Sequence, residues 1–240
     1  MTLLTTLALG LTLGVKHAFD ADHLVAVSTF VARERSIWRS VWMGVAWGIG
    51  HTATLLLVGL LVLGLKKQIS TPIGLGLECL VGIVLIGLGL ATVVEARRKR
   101  LHAHRHRHDN AEHIHFHSHV EHASHGHNHF IGFGWKPVLV GMVHGLAGSA
   151  ALMILILASV PSATLGLVYL VVFGAGSILG MGLVSLCMGL FFSCASNRVP
   201  TWDYDLRLAV GTLSTVFGVG IVVEIGFVQG LFLSSLSLLL

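Results

Sequence analysis

Charge is what this sequence has least of. Only 11% of its 240 residues are Asp, Glu, Lys or Arg, where a soluble globular domain carries about 25%. With 54% hydrophobic residues and a mean hydropathy of +0.84, the chain cannot cover itself with a water-facing surface. It reads as a polytopic membrane protein. Cysteine is scarce too. Cys79, Cys187 and Cys194 all fall in or at the edge of apolar stretches, and none forms a CxxC pair. That excludes a disulfide framework and a thiolate zinc site. No GxxxxGK[ST] loop is present, so ATP is not hydrolysed by that route. HExxH is absent as well, which argues against a zinc protease. The N-terminus has no charged region and no obvious cleavage site, so no removable signal peptide is expected. The net charge of +4 is not gathered into a nucleic-acid patch. The basic residues sit between apolar stretches, so the expected partner is a lipid bilayer, not nucleic acid.

Glycine is plentiful, at 29 residues. GxxxG pairs occur at Gly10/Gly14, Gly44/Gly48, Gly141/Gly145 and Gly176/Gly180. Small residues at this spacing let membrane helices approach closely. A helix needs about 20 apolar residues to cross a bilayer. Six stretches qualify, at 2–31, 40–65, 72–96, 136–160, 163–195 and 207–233. The expected fold is all-α, with six transmembrane helices. Residues 1–96 hold the first three, 97–135 form a polar insert, and 136–240 hold the last three. The fifth stretch is long enough to tilt or to include an interfacial turn.

Lys and Arg set the orientation. Loop one carries Arg33, Arg35 and Arg39. Loop three carries Arg97, Arg98, Lys99, Arg100, Arg105, Arg107 and Lys136. Loop five carries Arg198 and Arg207. The opposite side has Lys66 and Lys67, and Lys16 lies inside a span. Loops one, three and five are therefore expected in the cytoplasm of a cell whose inner membrane holds the protein, with both termini outside. The halves also resemble each other. "GVKHAFDADHL" and "GMVHGLAGSAAL" share G-x-x-H, pairing Gly14/His17 with Gly141/His144, and Gly82 pairs with Gly218 in the last helix of each half. Three spans per half make an inverted 3+3 repeat, a plan used by secondary transporters.

Ionisable groups inside a bilayer cost roughly 2.5–3.5 kcal/mol each on insertion scales and mark paths or sites. The first stretch holds Lys16, His17, Asp20, Asp22 and His23. His51 lies near the middle of the second, and His144 in the inner part of the fourth. Glu78 and Glu224 lie in the third and sixth. A lone histidine can be a helix-to-helix hydrogen bond. Two histidines and two aspartates within seven residues are not explained that way. Imidazole and carboxylate together suit Ni, Co, Zn, Fe or Mn. The spacing is unusual. His17, Asp22 and His23 would point about 100–140° from one another in an unbroken helix. Either the helix is interrupted around 17–23, or these side chains do not share one ion. Gly10 and Gly14 would ease an interruption. Lys16 and Asp20, four apart, could pair across a turn.

H-x4-D-H at His17, Asp22 and His23, within "HAFDADHLVAVS", closely resembles the signature of the nickel/cobalt transporter family (NiCoT). "GIGHTATLLLVG" around His51 is similar to that family's next-helix motif. "HGLAGSAAL" from His144 looks like the six-span branch related to urease-accessory nickel permeases. The later acidic motif of longer members, "GFDT", is absent. The resemblance implies uptake of Ni2+ or Co2+ as transported substrate, with no permanent cofactor. It implies metal recognition by His17, Asp22, His23 and His51. Asp20, His144 and Glu78 are further candidates for the metal or its path.

The insert is dominated by His102, His104, His106, His108, His113, His115, His117, His119, His122, His125, His127 and His129. This composition cannot build a packed core, so a disordered loop is expected. Unprotonated imidazoles at alternate positions suit a low-specificity metal buffer or delivery arm on the cytosolic face, with cytosolic nickel chaperones as its partners. Efflux is the alternative reading, the loop then collecting surplus metal. A membrane di-iron enzyme would need several clustered histidine boxes. Only one intramembrane cluster is present, so an enzyme is not expected.

Overall fold

The computed structural model describes residues 3–34, 36–65, 69–100, 104–108, 111–115, 135–159, 162–198 and 202–232. The helices are α1 (Leu3–His17), α2 (Ala21–Val31), α3 (Ile37–Leu65), α4 (Thr71–Arg100), α5 (Trp135–Ser159), α6 (Ala163–Arg198) and α7 (Trp202–Val223). A π-helical turn, Glu224–Val228, extends α7. Within the polar insert, β1 (His104–His108) and β2 (Ala111–His115) pair antiparallel, His106 opposite His113. The protein is otherwise helical among the described residues.

Four helical stretches are long and apolar enough to cross a membrane: Ile37–Val62, Thr71–Arg98, Thr164–Ala195 and Trp202–Val228. α6 runs unbroken for 36 residues, so the interfacial turn entertained for it is not there. The first apolar stretch is the exception. It is two short helices, α1 of 15 residues and α2 of 11, about 22 Å and about 16 Å long at 1.5 Å per residue.

The helix break falls at 18–20. The amides of Ala18, Phe19 and Asp20 reach back three residues, to the carbonyls of Val15 (3.2 Å), Lys16 (2.9 Å) and His17 (3.1 Å). Asp20 is extended (φ −62°, ψ 145°) and is the N-cap of α2. Its carbonyl accepts from the Leu24 amide at 3.0 Å, which starts the new helix. Three of the amides at the break are thus re-paired locally, as a non-aqueous setting favours. Gly10 and Gly14 do not make the break. Both are buried inside α1 and face α6 at Val172 and Phe173.

α3 packs along both α5 and α6, α1 runs along α6, and α4 pairs with α7. α2 lies among α3, α4, α6 and α7. The four GxxxG pairs all sit at such contacts: Gly10/Gly14 and Gly44/Gly48 against α6, Gly141/Gly145 against α3, and Gly176/Gly180 against α1. Two apolar clusters result. One gathers Ala18, Val27, Val31, Trp47, Leu85, Ala147 and Met181. The other gathers Leu55, Val62, Tyr169, Leu170 and Phe173. Past the end of α2, Arg33 ties this segment to α4. Its Nη1 is 3.1 Å from Glu95 Oε2, and its Nη2 donates to Thr92 Oγ1 at 2.7 Å and to the Leu88 carbonyl at 3.4 Å.

Candidate metal centre

His17 is the last residue of α1 and His23 lies in the first turn of α2. The break between them turns two side chains that a straight helix would splay toward one place. His51 meets them from α3. One ligand nitrogen from each of His17, His23 and His51 lies within 4.8 Å of the others. His17 Nε2 and His51 Nε2 are 3.2 Å apart. Two imidazole nitrogens on one tetrahedral ion at about 2.0–2.1 Å would be separated by about 3.3 Å. His23 and His51 are buried, at 2% and 0% exposure. The His17 side chain keeps 20% of its surface.

Two carboxylates stand behind the rings. His17 Nδ1 donates to Asp20 Oδ2 at 2.7 Å, and His23 Nδ1 donates to Asp22 Oδ1 at 3.1 Å. A histidine that donates from one nitrogen to a carboxylate presents the lone pair of the other to a metal, with its ring orientation set. Asp20 is a favoured N-cap type. It makes no side-chain cap bond to α2, because its carboxylate is engaged by His17. Its expected partner was Lys16. The helix ends at His17, so the four-residue spacing no longer puts Lys16 and Asp20 on one face. Asp22, expected among the ligands, accepts from His23 Nδ1 and is not one of the three residues whose ligand atoms converge within 4.8 Å.

His144, on α5, stands beside this group. Its ring is 5.4 Å from that of His23. Gly141 and Gly145 allow the approach. A Cβ on Gly141 would run into the Trp47 carbonyl, and one on Gly145 would meet that of His51. His144 Nδ1 donates to the Val140 carbonyl at 3.3 Å. Glu78 stays outside the group, with Asp22 and Glu224 as its charged neighbours. Of the loop histidines, His104, His106, His108, His113 and His115 have their backbone in the hairpin. His102, His117, His119, His122, His125, His127 and His129 lie outside the described residues.

Trp47 was not singled out from the sequence. It is 1% exposed, stacks on His23 (centroids 5.9 Å, 22° between planes) and meets His144 edge-on at 5.2 Å. Its position four residues before His51 was the available signal, since i and i+4 share a helix face.

A converging imidazole group inside apolar helices, backed by carboxylates, suits a divalent transition metal. The profile of the high-affinity nickel-transport proteins (NicO) matches residues 3–238. The chain belongs to this family. The urease accessory protein UreH of Bacillus sp. (strain TB-90) is 36% identical over 231 residues, 96% of both chains. Two Arabidopsis thaliana proteins, chloroplast protein FOR GROWTH AND FERTILITY 1 and 2, are each 26% identical over 224 residues. That is 92% of this chain and 60% and 57% of theirs. No solved structure matches the chain. The NicO family is one of metal transporters, not enzymes. Membership and the long apolar helices make this a multi-pass membrane protein of nickel transport.

Proposed function

We propose that the protein is a permease that takes up Ni2+ and/or Co2+, holding the ion at His17, His23 and His51 midway through the membrane. The observation that carries this is the convergence, within 4.8 Å, of two imidazoles from the interrupted first stretch and one from α3. Asp20 and Asp22 orient two of the rings and balance part of the ion's charge. An interrupted helix at a midplane site is a transporter device. The membrane potential favours inward cation movement, at about 2.3 kcal/mol per charge per 100 mV.

Six spans accommodate the helices, with α1 and α2 in series forming the first and α5, 25 residues long, the fourth. The packing supports an inverted 3+3 repeat. α1 on α6 is mirrored by α5 on α3, and α2 on α7 by α5 on α4. Gly82 and Gly218, paired as equivalents, lie against each other where α4 meets α7. The Lys/Arg distribution supports termini outside and the histidine-rich insert in the cytosol. There the insert serves as a low-specificity buffer that passes the ion to cytosolic nickel chaperones.

Cells carrying His17→Ala are expected to accumulate at least about tenfold less radioactive nickel, in line with losing a metal ligand's support. Undiminished accumulation overturns the reading. Deleting the gene separates uptake from efflux: loss of an importer protects against external nickel, and loss of an exporter sensitises.

A further inference from the structure

We propose a second, deeper metal station, formed by His144 Nε2 and His23 Nε2 and walled by Trp47, to which the ion passes from the His17–His23–His51 group. This rests on the metal reading of that group. Three observations support it. First, His144 is 2% exposed and its Nε2 is buried without a hydrogen-bond partner, as is that of His23. A buried imidazole nitrogen left unpaired is costly unless something binds it. The other nitrogen of each ring is accounted for, by the Val140 carbonyl and by Asp22. Both Nε2 atoms therefore carry lone pairs.

Second, His144 lies outside the 4.8 Å group, yet its ring contacts His23, which also contacts His17 (4.6 Å) and His51 (5.2 Å). His23 is the common member. An ion on His17, His23 and His51 can exchange His17 for His144 while His23 stays attached. Hand-over between overlapping sites avoids a bare ion in an apolar interior, and it keeps binding weak enough to leave.

Third, the two ends differ in access. The His17 side chain is partly exposed and Asp20 beside it is half exposed, whereas His144 is enclosed. Trp47 contacts both His23 and His144, and Phe30 meets it edge-on at 6.2 Å. The deeper station is thus closed by an indole that must shift for the ion to leave.

The test uses the full-length chain with its twelve loop histidines replaced by serine, in lipid nanodiscs and in proteoliposomes. Binding is read by Co2+ titration through its visible ligand-field bands, and transport by radioactive nickel influx. His144→Ala, and His144→Gln as the polar, size-preserving variant should alanine not fold, are expected to bind the first Co2+ within about threefold of the parent. Their bands for that ion stay unchanged, while influx falls at least about tenfold. His17→Ala is expected to lose the first Co2+ and its bands. If His144→Gln loses the first Co2+ as His17→Ala does, there is one site and the two-station proposal is overturned. Parental influx in His144→Gln overturns it equally. Normal Co2+ binding by His17→Ala overturns the outer group itself, and the hand-over with it.

Discussion

Two segments of the molecule begin alike and end differently. Gly14 leads to His17 and "HAFDADH"; Gly141 leads to His144 and "HGLAGSA". In that alignment Asp20, Asp22 and His23 correspond to Ala147, Ser149 and Ala150. The first segment stops being helical at 18–20. The second runs straight through as α5. The interruption goes with the carboxylates. Asp20 supplies the extended N-cap backbone and a carboxylate for His17; Ala147 supplies neither. The first segment brings two imidazoles, each with a carboxylate behind it, to one place; the second keeps one imidazole and the glycines that bring it close.

The largest effect should come from the glycines of the straight segment. Gly145→Leu forces α5 off the His51 backbone. It should lower stability by about 3 kcal/mol, the upper end for overpacking, and remove nickel influx. Gly64→Leu, where nothing lies within 4 Å, should leave both near parental, as melting and influx will show. Next, saturating Ni2+ at about a hundred times its dissociation constant should stabilise the parent by about 2.7 kcal/mol. His23→Ala should show no such gain in calorimetry at matched metal. Smaller again is Asp20→Asn. It keeps a residue that caps helices but weakens the hold on His17. Metal affinity should fall about tenfold, while Ser149→Ala in the other segment leaves it unchanged. Equal losses would mean that the two segments do not differ in their part in metal binding. The smallest effect is Ser177→Ala, which removes the hydrogen bond from Ser177 Oγ to the Gly14 carbonyl (3.3 Å). It should cost about 1 kcal/mol of stability with no change in Co2+ bands.

Much of this was legible in the residues. The five- and six-residue spacings from His17 to Asp22 and His23 required a break or a parting of ways, and the break is there. The helical class follows from apolar length and glycine spacing. What could not be read was anything decided by a neighbouring helix. Asp22 stands behind His23 because of a local turn that spacing alone does not define. Trp47 closes over His23 because α2 and α3 cross there. The pairing of Asp20 was misjudged for the same reason: a four-residue rule holds only while the helix does. The shared G-x-x-H did mark His144, but its place beside the group depends on how closely α5 approaches α3.

The attachment of Arg33 to Glu95, Thr92 and Leu88 on α4 has a mechanical consequence. α2 is a stiff strut of 11 residues, pinned to α4 at its lower end and jointed at 18–20 at its upper end. His23 rides near that joint. Any shift of α4 is therefore transmitted along the strut and arrives as a change in the aim of one imidazole ring, while His17, on the other side of the joint, can stay where it is.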